Sequence, residues 1–348
     1  MSVRASTTDG GLAIWSVGAS TPVGLSAEQT AFGLRAGLFC PRTLGHTDEV
    51  GEPLGAVLLG SIPEEVEGWE RLVWLALPAA REALAGSEAR GLPRPRRAFL
   101  ALPSAQKGLP EEDLRSAVDE VEHALLEGVA VTVVSGQNDA FGKALALAVR
   151  HLAEHPDECA LVGGADSRHA AETYADLDEE FRILSERSPD GFIPGEGAAF
   201  AVIGGRVTGA PARSEPRDTP LARIAFADAR DESGGEPDAA FTDLVEAAAL
   251  HAAEAPLSWV LVDQRTEQHR SSSWHRVECR LPGLLDLRGT TVDALAERVG
   301  DAGAASGAIL LVHAVLGVHT RFAPGSSAVV ALGSDGPGRA AFTVRRAT

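Results

Sequence analysis

The chemistry open to this chain turns on residue 137, within the stretch VTVVSGQNDAFGKALALAVRHLAEHPDECALVGGAD at positions 131–166. A β-branched run at 131–134 suits a buried strand, Gly136 permits a sharp bend, and Asn138 or Asp139 can cap a helix over 140–152. A side chain on such a turn projects from a sheet end at a helix N-terminus. The helix dipole favours a developing anion there, so the position suits a nucleophile. Gln137 is an amide, which neither ionises nor attacks. It reads as a substrate-facing amide or as a buried amide tying strand to helix, and the second is the commoner use.

The other reactive side chains are scattered. Cys40, Cys159 and Cys279 are odd in number and far apart, so they form neither a disulfide framework nor a metal-ligand cluster, and a reducing cytoplasm is expected. His151 and His155 lie four apart on one helical face, a spacing that can bind metal, but with no evident third ligand they read as a solvated helix end. No metal and no cofactor is expected. The Ala/Gly stretch 302–308 lacks the strand–GxGxxG–helix context of a dinucleotide site and reads as a closely packed helix.

The elements that must hold these groups alternate along the chain. Strands are expected at 12–17, 98–102, 131–134, 159–162, 198–203, 221–227, 257–263 and 328–332. Helices are expected at 26–36 behind a Ser26 cap, then at 69–84, 140–152, 170–184, 241–253 and 301–317. Pro78 should kink or divide the second of these, and Pro110 with its acidic followers opens another. Residues 38–66 read as irregular surface chain, Gly163-Gly164 as a strand end, and 205–219 as an exposed connection. ALVGGADS at 160–167 echoes VVALGSDG at 329–336, which suggests a duplicated α/β half dividing 1–204 from 220–348.

Composition bounds the rest. With 348 residues, 45% hydrophobic and a mean hydropathy of +0.01, the chain suits a soluble globular protein with a sizeable core. We find no secretory signal at 1–10 and no uninterrupted apolar run long enough to span a bilayer. The 31 basic and 49 acidic residues give a formal charge of −18, which argues against nucleic acid and anionic membranes as partners.

VGASTPVGLSAEQTAFGLRAG at 17–37 and PDGFIPGEGAAFAVI at 189–203 resemble segments of β-ketoacyl-acyl-carrier-protein synthases, which have the thiolase fold. The order of motifs also fits, ending with GDAGAASGA at 300–308, and the chain looks like a short, degenerate bacterial member. The resemblance implies two pseudo-twofold-related βαβαβαββ halves packed in α-β-α-β-α layers. It also implies a dimer formed along the strand before the nucleophile turn, here residues 131–135.

The family's reaction uses a Cys and two His residues. Laid on its motifs, Gln137 takes the Cys position, Gln264 (or Asp263, if the register slips) the first His, and Asp301 the second. Ala296 falls near an expected lysine, Asp335 stands where an apolar gate residue would, and Glu196 holds its loop or a cation. Asp301 also reads as the N-cap of the Ala-rich helix, and as a new charge it has the wrong sign for an oxyanion hole. His313 and His319 are too far along the chain to replace the missing imidazoles.

These substitutions point to a catalytically inactive synthase-like protein acting as partner subunit, scaffold or acyl binder. The alternative is an acyltransferase or malonyl-thioester decarboxylase using unconventional residues. Expected partners are a second copy or a related synthase, with an acyl chain or carrier protein as further candidates. An acidic carrier would be repelled unless a local basic patch such as Arg94, Arg96 and Arg97 offsets the field.

Overall fold

The structure, a computed structural model, describes residues 5–6, 11–48, 50–204, 219–232, 234, 236–286 and 288–347. The expected connection at 205–219, apart from residue 219, lies outside them, as does 1–10 apart from residues 5 and 6. The first half runs β1 (Ala5–Ser6), β2 (Leu12–Ser20), α1 (Ala27–Arg35), β3 (Arg42–Thr47), β4 (Pro53–Ala56), α2 (Gly68–Glu88) and β5 (Arg97–Pro103). It continues with α3 (Glu111–Leu125), β6 (Ala130–Gly136), α4 (Ala140–Glu154), β7 (Cys159–Ser167), α5 (Ala171–Glu179) and β8 (Glu196–Gly204). The second half holds β9 (Ala222–Asp231), α6 (Ala239–Leu250), β10 (Trp259–Val262), α7 (Gln268–Arg280) and β11 (Thr291–Ala294). After them come α8 (Ala296–Val299), α9 (Ser306–Thr320), β12 (Ser327–Gly333) and β13 (Gly338–Arg346).

The strands follow the order β11-β10-β12-β13-β9-β2-β8-β7-β5-β6, with β1 on β9. Pairing sense repeats on either side of the β2–β9 seam. β6, β5 and β7 are parallel, and β8 then β2 join antiparallel. β11, β10 and β12 are parallel, and β13 then β9 join antiparallel. The strands hydrogen-bond continuously through that seam, so the two sheets are the two arms of one eleven-stranded sheet, and the ALVGGADS and VVALGSDG segments are β7 and β12 at matching places in them.

Burial fixes the layering. α4 and α9 share one apolar core with the inner faces of both sheets, where Phe141, Leu145, Ile309 and Val312 meet Phe99, Val162, Ile203, Leu332 and Phe342. α2 and α3 cover the outer face of the first sheet against Leu100, Leu161 and Phe200. α6 and α7 cover the second against Phe226, Val260 and Val329. The result is the expected α-β-α-β-α arrangement. Small residues let the central layer close: a Cβ on Gly142 of α4 would sit 2.2 Å from the Ala340 Cβ of β13.

Several local expectations need correction. Residues 42–56 form the β3–β4 hairpin, whose Leu44 and Leu54 pack on Tyr174 and Leu177 of α5; Gly and Pro there mark turns rather than loss of structure. Pro78 lies within α2 and does not divide it. β7 runs through Gly163-Gly164 to Ser167, because Phe200 and Ala304 press on those glycines where a side chain would clash. The helix expected to reach 184 stops at Glu179, with Phe181 left-handed beyond it. β13, β11 and α7 were not anticipated. In α7 the composition is polar, and only Arg270, Ser273, Trp274 and Val277 are buried, at helical spacing. Gly303–Thr320 is long and apolar enough by mean composition to cross a membrane, although Ser306, His313 and His319 interrupt it, and 89% of that window is buried as the central helix.

Candidate functional site

Strand β6 delivers the turn at 137–139 to the start of α4, beside the β12–β13 turn and the loop ahead of α9. The cap expected from Asn138 or Asp139 is absent, since neither side chain accepts a backbone N–H of the first turn of α4. Asn138 Nδ2 instead donates to Asp301 Oδ1 at 3.1 Å and to Ser306 Oγ at 3.3 Å. Asp139 accepts from Lys143 Nζ at 2.7 Å. Gln137 is half-buried, and its Oε1 accepts the Asp335 backbone N–H at 2.8 Å.

Asp301 is buried, and its carboxylate is saturated. Oδ2 accepts from Arg168 at 2.7 Å and from Arg265 at 2.8 Å, while Oδ1 takes Asn138 and the Gly303 N–H at 3.2 Å. Burial pushes its pKa up, but Arg168, Arg265 and the Asn138 hydrogen bond outweigh burial and hold the group well below the usual carboxylate range. Asp301 accepts the N–H of Gly303, the first residue of the 3-10 turn leading into α9, but the N-cap of that turn is Ala302 rather than Asp301. It is not the lone new charge that the sequence suggested, because the buried Arg265 and the half-buried Arg168 pair with it.

The ion pairs extend outward. Asp335 accepts from Arg265, from Arg182 at 2.9 Å and lies 3.4 Å from His269 Nε2. Burial works against its ionisation, yet Arg265 and Arg182 bring its pKa down to about 2. Glu267 accepts from Arg182 at 2.9 Å and from Arg265 at 3.0 Å. The Phe192 ring lies against all three guanidiniums, with Arg265 at 4.6 Å, Arg182 at 5.3 Å and Arg168 at 5.4 Å from its centroid. Three arginines therefore meet three carboxylates, and the site closes with no net charge.

Gln137, Asp301 and Asp335 are thus brought together, but Gln264 is not part of their network. It lines an adjoining cavity of about 810 Å³ with Phe39, Trp274, Val292 and Ala296, a cavity that Phe192 and Arg265 of the network also border. From that loop the side chain reaching Asp301 is Arg265, one residue on. Asp263 points the other way, accepting from Arg270 at 3.2 Å and the Gly333 N–H at 3.1 Å. Asp166 plays a matching part at the end of β7, accepting the Ala304 N–H at 2.7 Å. Burial pushes both carboxyls up to about 6, against the pull of Arg270 and Arg168 respectively.

Glu196 lies fully buried behind this cluster. Arg71 grips both its oxygens, the Leu59 N–H donates at 2.7 Å and the Ser167 hydroxyl at 2.7 Å, so no lone pair faces a cation. Arg71 was missed by sequence reasoning, although a charged residue on the apolar face of α2 was a visible signal. Arg168, Arg182, Arg265 and Glu267 gave no such signal, being ordinary in polar loops. Glu267, His269 and Asp335 place one ligand atom each within 4.8 Å of one another. Both carboxylates there already hold arginines, which compete with any cation.

The remaining histidines lie elsewhere. His151 Nε2 is 3.0 Å from Glu158, and its ring is 4.5 Å from that of His155. His313 is buried against Trp259 and Phe322, and burial lowers its pKa to about 4.

No known protein-family profile and no curated protein matches the chain. Solved structures do. A type II polyketide acyl-carrier protein in complex with its ketosynthase bound to the hexaketide (AntDE:AntF) matches at TM-score 0.75 and 13% identity, over 97% of this chain and 99% of the other. The ishigamide ketosynthase/chain length factor matches at 0.72 and 16%, over 97% and 99%. A β-ketoacyl synthase from Burkholderia phymatum matches at 0.74 and 14%, over 97% and 99%. At these identities the likeness is one of fold, and the fold is that of the thiolase-like ketosynthases.

Proposed function

We propose that this chain is a non-condensing ketosynthase-like protein that works as a partner subunit, paired with a related synthase or with a second copy. One observation carries the reading. Where a ketosynthase is expected to hold a thiol and two imidazoles, the entrance of α4 holds Gln137 fixed by the Asp335 N–H and an Asp301 saturated by Arg168, Arg265 and Asn138. Acyl transfer needs a nucleophile, and oxyanion binding needs donors left free to meet the developing charge. Here Arg168, Arg265 and Asn138 are each already committed to the Asp301 carboxylate.

The partner role draws support from β6, an edge strand whose Val133 is 41% exposed. Such an edge suits antiparallel pairing across a twofold axis. Among the fold neighbours are a ketosynthase/chain length factor and a carrier protein with its ketosynthase, so a synthase or carrier partner fits the architecture. Residues 1–204 and 220–348 would then be two halves of one unit. Free Cys40, Cys159 and Cys279 fit a reducing cytoplasm.

The test incubates the purified chain with acyl and malonyl thioesters while following acyl-enzyme and carbon dioxide, alongside native mass spectrometry of the tagged chain from its host. The expected result is no acylation, no decarboxylation and a dimer. Robust carbon dioxide release would overturn it in favour of the decarboxylase alternative. An acyl species bound without turnover would select an acyl binder over a scaffold.

A further inference from the structure

Helix α7 carries a row of polar side chains that the α4 site does not use. Trp274 Nε1 donates to Glu278 Oε1 at 2.9 Å, Glu278 Oε2 lies 3.5 Å from His275 Nδ1, and His275 Nε2 lies 3.5 Å from Cys279 Sγ. Spacings of three and four residues place all four on one stripe of the helix. Trp274 is buried and anchors the row to the second-half core, while His275 and Cys279 face solvent.

The order of contacts has a chemical meaning. A carboxylate at Nδ1 favours the tautomer that carries its proton there, which leaves Nε2 as the acceptor facing the thiol. This is a base beside a nucleophile, with a third group orienting the base. His275 and Glu278 also line the cavity of about 810 Å³, whereas Cys279 lies outside that lining and is open to a reagent from solvent. The other cysteines differ. Cys159 is buried, and burial pushes its thiol up to about 11. Cys40 is exposed but has no imidazole partner among the described residues.

We propose that Cys279 is a base-assisted thiol that exchanges with low-molecular-weight disulfides, making α7 a site of mixed-disulfide modification. His275 Nε2 takes the S–H proton, and the Cys279 sulfur attacks one sulfur of the disulfide. The new S–S bond forms as the old one breaks, and the departing thiolate recovers the proton from His275. The incoming disulfide supplies the oxidising equivalent, so no further oxidant is needed.

The test uses the full-length chain with oxidised glutathione at pH 7, with the site of addition read by peptide mass mapping. Cys279 should react about tenfold faster than Cys40, a modest share of what a well-placed base supplies in an active site. His275→Gln, at an exposed position, should bring Cys279 down to the Cys40 rate while leaving Cys40 unchanged. Glu278→Gln should fall between the two and shift the pH profile of the Cys279 rate. Equal rates at Cys279 and Cys40 in the wild type, or a Cys279 rate indifferent to His275→Gln, would overturn the proposal.

Discussion

A carboxylate withdrawn from water must have its oxygens engaged by other donors, and Asp301 meets that need with two guanidiniums, an amide and a backbone N–H. The same donors make the site unresponsive to a single repair. Gln137→Cys should therefore give no condensation product when acyl and malonyl thioesters are supplied and products are read by mass spectrometry. A β-ketoacyl product from that variant would sink the non-condensing reading. Asp166 invites a pH experiment. Its carboxyl rises from 3.8 to about 6 on burial, so the folded state holds a proton that the unfolded chain has released. The stability it contributes is whole below about pH 4 and lost as pH rises through 6, and a gap of about two units corresponds to about 3 kcal/mol. Asp166→Asn should flatten that part of the profile in urea titrations between pH 4 and 7. An unchanged slope would show that Asp166 is not the group responsible.

At the scale of elements, the decisive feature is the exposed edge of β6. From Val133 on its residues alternate between exposed and half-buried, as a strand awaiting a partner would, and Val133 is the large apolar side chain left open. If the chain pairs along β6 as proposed, Val133→Lys should convert that dimer to monomer at micromolar concentration in light scattering, because two like charges would meet near the proposed twofold axis. A variant that stays dimeric would place the interface on another surface. β11, the matching edge of the second half, is four residues long and carries Asp293, features that discourage pairing.

Across the whole molecule, α4 and α9 bind the two halves into one core, and their glycines set the spacing. Gly142→Ala should lower unfolding stability by about 1–3 kcal/mol, the usual cost of overpacking, because the new methyl would meet the Ala340 Cβ of the other half. Chemical denaturation measures this directly. A neutral outcome would mean that β13 can yield without disturbing the central layer. The formal charge of −18 spreads over this single body, while Arg168, Arg182 and Arg265 at the α4 site each pair with at least one acid.

The order of the layers came from the resemblance of the motifs to the synthases; the residues by themselves determined the strand–turn–helix around Gln137, the absence of a thiol there and the echo between the β7 and β12 segments. These depend on local pattern: β-branched runs, glycine at bends and helical spacing of apolar residues. Pattern failed where burial is not apolar, as in α7, and where turn residues disguise a hairpin, as at 42–56. Only the tertiary structure decided what surrounds Asp301. Arg168 and Arg265 lie 133 and 36 residues before it in the chain, and nothing local marks them as its partners. A buried charge is balanced by whatever the fold brings near, so its compensation is a property of three-dimensional neighbours. The one-residue difference between Gln264 and Arg265 has the same origin: the turn leaving β10, rather than the motif register, sets which side chain faces inward.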